Sequence, residues 1–196
     1  MQAFIDHART FHHRAAQTAD DFERLAAGQS PQALFITCSD SRIIPSAVTG
    51  ARPGELFEMR TAGNIVPPYR PGVPSAEAAT IEYAVEVLGV ADIVVCGHSH
   101  CGAVGAVVRG DDLTGVPAVR EWLAEGAELT PGHDPGQDLA GPVQRHVLDQ
   151  LARLHTHPSV ARRADAGRLG LHGWFYEVHT GAVRTHRPGT DLFLPL

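Results

Sequence analysis

Two short clusters in this chain carry side chains that can bind a metal. One is Cys38-Ser-Asp40-Ser-Arg42 and the other is His98-Ser-His-Cys101-Gly102. Two thiolates and one imidazole make a good ligand set for zinc. Three protein ligands leave the fourth tetrahedral position to water, which is the catalytic rather than the structural arrangement. Zinc with two thiolates is formally neutral, so it acidifies bound water less than an all-histidine site does. The deprotonated water is still a strong nucleophile near or above neutral pH. Asp40 stands close enough to Cys38 to touch that water or the metal. Arg42 can pair with Asp40 through its planar fork, keep it ionised and hold it as an acceptor. Taken singly these fragments say little. His-x-x-Cys is a weak metal signal, a lone Cys is more often a buried apolar residue, and Asp-x-Arg is usually a surface pair. Cys96 lies inside an apolar run and reads as core, and His100 reads as exposed.

The surrounding pattern must bring the two clusters together. Ala33-Leu-Phe-Ile-Thr-Cys38 is a short apolar run that ends in Ser-Asp-Ser, so it reads as a buried parallel strand. Glu55–Met59 is a second strand, and Ile93-Val-Val-Cys96, ending at Gly97-His98, is a third. Residues 75–88 form a helix with Ala78, Ile81, Val85 and Leu88 on one face, Ser75 as N-cap and Gly89 as stop. A helix starts at Gly102, and further helices cover 117–127 and 142–156. Leu171–Val178 and Ala182–His186 make a strand pair around the Thr180-Gly181 turn. The segment 111–141 is rich in Gly, Pro and Asp and reads as mostly surface. Residues 1–28 read as an amphipathic helical arm with Phe4, Ile5, Phe11, Phe22 and Leu25 as anchors and Gly28 as stop. The fold class is therefore α/β, a mainly parallel central sheet flanked by helices, with an N-terminal helical arm and a C-terminal antiparallel edge strand. Residues 1–196 read as a single domain. In such a sheet, ligands bind outside the carboxyl ends of the strands, where strand order reverses. Cys38 and His98–Cys101 both sit at such ends.

Composition narrows the function classes. The 196 residues are 43% hydrophobic and 19% charged, enough for a real core. A formal charge of −6 argues against a generic nucleic-acid or anionic-membrane binder. All 16 basic residues are Arg. Without Lys, Schiff-base chemistry, P-loop phosphate binding and a Lys base are excluded; the bland explanation for that bias is a GC-rich genome. Most of the 12 His read as solvated surface. No apolar run approaches a membrane span, no signal peptide is visible, and three cysteines fit metal ligands or buried thiols better than bridges. The expected location is the cytoplasm.

The two clusters, with Leu34-Phe-Ile-Thr before Cys38, Gly54-Glu-Leu-Phe57-Glu-Met-Arg60-Thr-Ala-Gly-Asn64, Glu82-Tyr83-Ala-Val and the closing Leu171-His-Gly-Trp174, closely resemble the β-class carbonic anhydrases. The resemblance runs from about Phe4 to the C-terminus. It implies reversible hydration of CO2 to bicarbonate by zinc-bound hydroxide. It implies Zn2+ on Cys38, His98 and Cys101, with the Asp40–Arg42 dyad beside them. It also implies a closed state in which Asp40 displaces the water as fourth ligand. Gln29 matches a donor to bicarbonate, Phe57 and Tyr83 match residues lining a narrow apolar pocket, and Gly102 follows the last ligand. For Phe57 and Tyr83 the bland alternative is plain core packing. In the family that pocket is built partly from a neighbouring subunit. Some members bind inhibitory bicarbonate with a Trp, an Arg and a Tyr. Arg60 and Tyr83 match two of those positions but Phe35 takes the Trp position, so no such site is expected.

Other readings compete. A CS2 or COS hydrolase on the same scaffold would act on similar linear molecules. A zinc-binding or redox-sensing protein without catalysis would not need the open position and poised carboxylate that the Asp40–Arg42 dyad provides. The arm, with Phe4, Phe11 and Phe22, has little core of its own to cover. The expected partner is a second copy, as a homodimer or a dimer of dimers, with no nucleic acid and no membrane.

Overall fold

Ala33-Leu-Phe-Ile-Thr-Cys38 forms β1, buried from its second residue onward. The computed structural model describes residues 1–15, 19–129, 131–132 and 138–196. On one side β1 pairs in parallel with β2 (Leu56–Thr61), Cys38 opposite Thr61. On the other it pairs in parallel with β3 (Asp92–His98). A further parallel strand, β4 (Gly170–Tyr176), lies beside β3. The sheet continues antiparallel through β5 (Val183–Arg187) and β6 (Leu192–Pro195), giving the order β2-β1-β3-β4-β5-β6. Strand order reverses at β1, so the ends of β1 and β3 flank the switch point where ligands bind.

The sheet is thus mainly parallel, as expected, but it ends in two antiparallel strands rather than one. Asp191, with φ +55°, turns the chain after β5, and its N–H and that of Thr190 both donate to Arg187 O. The returning Leu-Phe-Leu-Pro is too short to show an alternating pattern, yet it buries Phe193.

Two compact units make up the chain. The first, Met1–Ser30, holds α1 (Gln2–Arg9), α2 (Phe11–Ala15) and α3 (Ala19–Ala26). The expected arm is helical but broken. Thr10 leaves the helix and its hydroxyl donates back to the Asp6 and His7 carbonyls, a local competitor to helix continuation. Residues 16–18 of the expected arm lie outside the described residues. The rings of Phe11 and Phe22 meet edge-on at 6.1 Å.

The second unit, Pro31–Leu196, holds the sheet and, among the described residues, six α-helices. Pro45–Thr49 is α4, Ala76–Glu82 is α5, Gly102–Arg109 is α6, Pro117–Gly126 is α7, Ala140–Leu154 is α8 and Pro158–Asp165 is α9. Ser75 caps α5, its hydroxyl accepting from Ala78 N–H at 3.0 Å. The helix expected over 75–88 widens into a π-turn over Tyr83–Val87, closed by Leu88 N–H donating to Tyr83 O. Two short helices, α4 and α9, were not legible, and each opens with a Pro in its first turn.

Alternation along β1 and β3 feeds two cores. Leu34, Ile36, Ile93 and Val95 join Val104, Val143 and Val147 on one face, while Phe35, Val94 and Cys96 join Ile43 on the other. Cys96 is core, and burial alone raises its thiol pKa. At Gly97 an added Cβ would come within 2.7 Å of Val143 and Val147, so glycine is what lets α8 close on β3 just before His98.

Candidate metal centre

β1 ends at Cys38 and β3 ends at His98, side by side in the sheet. Cys101 follows three residues on, as the N-cap of α6. One ligand atom each from Cys38, His98 and Cys101 lie within 4.8 Å of one another, and all three residues are buried. Among the described residues this is the one group of three or more that could hold a metal. His98 Nδ1–H donates to Ser99 O at 2.9 Å, which fixes the tautomer and leaves the Nε2 lone pair for a metal. Nε2 is buried without a hydrogen-bond partner among the described residues. A buried nitrogen facing two sulfurs could hold a metal ion, and thiolates with imidazole form a ligand set that suits zinc among other metals.

The sulfurs are unequal. Cys38 is the readier thiolate: the neighbouring Cys101 thiol lowers its pKa, which outweighs burial, and the Gly63 N–H adds to the effect. Cys101 is pushed the opposite way by the same pairing and by burial. Gly63 N–H lies 3.3 Å from Cys38 Sγ.

Asp40 and Arg42 form a two-pronged pair. Arg42 Nε donates to Oδ1 at 2.9 Å and Nη2 to Oδ2 at 2.6 Å, with the Arg42 backbone N–H also on Oδ1. Arg42 holds the Asp40 carboxyl well below the usual carboxylate range, against a smaller burial effect. Asp40 Oδ2 is 3.9 Å from His98 Nε2. Arg42 Nη2 also donates to His100 O, tying the loops after β1 and β3 together.

Arg60 reaches from β2 to fasten the loop after β1. Its Nη2 lies 2.9 Å from Cys38 O, 2.7 Å from Asp40 O and 2.9 Å from Ile43 O. Tyr83 instead stacks on Phe57, centroids 5.9 Å apart. Phe57 pairs with Leu34, four residues before the Cys38 level, about 13 Å along the strand at ~3.3 Å per residue. Gly102 opens α6, and a Cβ there would meet nothing within 4 Å. Gln29 is exposed in the Met1–Ser30 unit, and His100 is exposed as expected. An open cavity of about 370 Å³ beside the site is lined by Ser39, Arg60, Thr61, Ala62 and Trp122, among others.

Comparison with known proteins adds an independent observation. The family profile of carbonic anhydrase matches residues 33–183. A carbonic anhydrase of Pseudomonas aeruginosa is 51% identical over 168 residues, covering 83% of this chain and 76% of that protein. The solved β-carbonic anhydrase CcaA superposes with a TM-score of 0.90 at 35% identity, covering 100% of this chain and 99% of that one. The chain belongs to the β-carbonic anhydrase family. Another solved structure in the family, one of two tetrameric β-carbonic anhydrases from Sordaria macrospora, is 31% identical with a TM-score of 0.77 over 94% of both chains.

Two groups at this β-carbonic anhydrase site escaped the sequence reading. Gly63 acts through a backbone N–H, which leaves no side-chain signature. His146 is fully buried on α8, where its Nε2 lies 2.8 Å from Gly63 O. Its signal was present: His146 and Gln150 are polar residues on the apolar stripe that Val143, Val147 and Leu154 define.

Proposed function

We propose that this chain catalyses the reversible hydration of carbon dioxide to bicarbonate and a proton, with zinc held by Cys38, His98 and Cys101 and with Asp40 and Arg42 orienting the nucleophile. The observation that carries this reading is the convergence of three buried ligand atoms within 4.8 Å beside the paired Asp40. Zinc held by these three residues would supply a Lewis acid that acidifies a water molecule.

Asp40 is an acceptor and not a proton store. Arg42 keeps it ionised, so it takes a hydrogen bond from the nucleophile without retaining the proton. An O–H that donates to Asp40 has its lone pairs turned away from the carboxylate and available to carbon. Both Asp40 oxygens are committed to Arg42. Asp40, 3.9 Å from His98 Nε2, would be the residue to take the fourth ligand place and shut the site if that fork opened.

Carbon dioxide has no dipole and few handles, so a small dry space suits it. Gly102, exposed beside Cys101, is assigned to leave room for it, since a Cβ there would meet nothing within 4 Å. Gln29 is assigned to donate to bicarbonate. Phe57 lies well along the strand from its own Cys38 and Tyr83 packs on it, so both are assigned to line the site of a second copy. The assembly is accordingly a homodimer or a dimer of dimers, in keeping with the tetrameric relatives and with exposed Phe4, Phe11 and Phe22. A site built from two free thiols suits a reducing compartment such as the cytoplasm.

The test pairs zinc content with CO2 hydration in Asp40→Asn. The expected variant retains one zinc per chain and loses about tenfold to hundredfold in rate or more. Full activity with Asn at this position would remove the Asp40–Arg42 pair from the mechanism.

A further inference from the structure

Gly63 is held from three directions. Its φ is +75°, and an added Cβ would lie 3.1 Å from Ala103 Cβ in the first turn of α6. Its N–H points at Cys38 Sγ. That N–H shares a peptide plane with the Ala62 carbonyl, and in a trans peptide the two point in opposite directions. Trp122 Nε1–H, from α7, donates to Ala62 O at 2.9 Å. Indole N–H, peptide and sulfur thus form one hydrogen-bonded line, in which each bond polarises the next.

The following peptide is clamped from α8. Gln150 and His146 are one turn apart on the same face and both are fully buried. Val66 N–H can only donate, so it faces Gln150 Oε1, at 2.8 Å. Gly126 O can only accept, so it faces Gln150 Nε2, at 3.1 Å. The remaining amide hydrogen faces His146 Nδ1 at 3.4 Å. His146 therefore carries its proton on Nε2 and donates to Gly63 O. Burial, the largest influence on this imidazole, favours the neutral form that the network requires.

We infer that Trp122 and His146, the latter set by Gln150, are positioning residues that hold the Gly63 N–H on Cys38 Sγ and thereby set the donor strength of that sulfur toward the metal. The inference rests on the zinc reading of the Cys38–His98–Cys101 site. An N–H donated to Cys38 Sγ holds the sulfur in place for the metal and draws charge from it, so the clamp sets metal affinity through position and the metal–sulfur bond through charge. A role in packing alone would change stability and leave the bond as it was.

The experiment uses full-length protein loaded with cobalt(II), whose near-ultraviolet thiolate-to-metal charge-transfer band reports on the metal–sulfur bond. Zinc affinity is measured alongside by chelator competition. Trp122→Phe keeps a ring at a partly exposed position and removes only the donor. His146→Leu removes the other donor, and His146→Gln offers an amide N–H to the same carbonyl. The expected result is a shifted band and about tenfold to hundredfold weaker zinc binding in Trp122→Phe and His146→Leu, with recovery in His146→Gln. A folded Trp122→Phe or His146→Leu with the wild-type band and affinity overturns the inference. Should His146→Leu fail to fold, Trp122→Phe decides alone. Wild-type protein that takes up no cobalt overturns the zinc reading itself and the inference with it.

Discussion

Arg42 spends its whole guanidinium fork on Asp40 and still reaches His100 O, so one residue sets the charge and place of the carboxylate. Asp40 therefore remains ionised across the neutral range and well below 3.8, the ordinary carboxyl value. Its pairing contributes stability above that ordinary value, lost only as pH falls through the lower folded value. Cys38 is the residue on which the site depends most. It supplies one sulfur, accepts from Gly63 and anchors the loop that Arg60 fastens. Cys38→Ser is expected to abolish zinc retention, measured as metal content after dialysis, because a hydroxyl is not a ligand of comparable softness. One zinc per chain in that variant would contradict the ligand assignment. Cys38, Asp40, Arg42, His98 and Cys101 were legible as chemistry because their types and loop positions stand out against apolar strands. Gly63 and Trp122 were not, since one acts through a backbone N–H and the other meets a carbonyl distant in sequence.

The strands and the main helices were readable because their apolar runs end in clear punctuation. Ala33–Cys38 stops at Ser-Asp-Ser, and α5 begins at a Ser whose hydroxyl does cap it. Where the reading missed, the deciding interaction was tertiary or too short to show a period. β6 is four residues long and gains its place by pairing with β5 and burying Phe193. The packing of α8 on β3 rests on Gly97, where a Cβ would stand 2.7 Å from two valine methyl groups. Gly97→Ala is expected to cost roughly 1–3 kcal/mol through overpacking. Equilibrium urea unfolding checks this, and an unmoved midpoint would mean that α8 has room to withdraw.

At the scale of the whole molecule, the protein should lose stability as it is acidified below neutral pH. His146 and His157 are buried, and burial lowers both from the ordinary 6.5. Below 6.5 the unfolded chain takes up protons that these folded imidazoles refuse, so stability falls with pH through that window and is unaffected by them above it. The thermal midpoint should therefore drop as pH falls below 6.5, and His157→Gln should shallow the slope. An unchanged slope would exclude His157 as a contributor. Sedimentation at micromolar concentration should show a dimer or larger, and a monomer would remove the second copy from the account. The most direct test of the central claim is stopped-flow CO2 hydration on protein of known zinc content, between about pH 6.5 and 9, where a neutral zinc site is expected to become active. The account predicts a rate proportional to bound zinc and rising with pH. No hydration at any pH with one zinc per chain would contradict it.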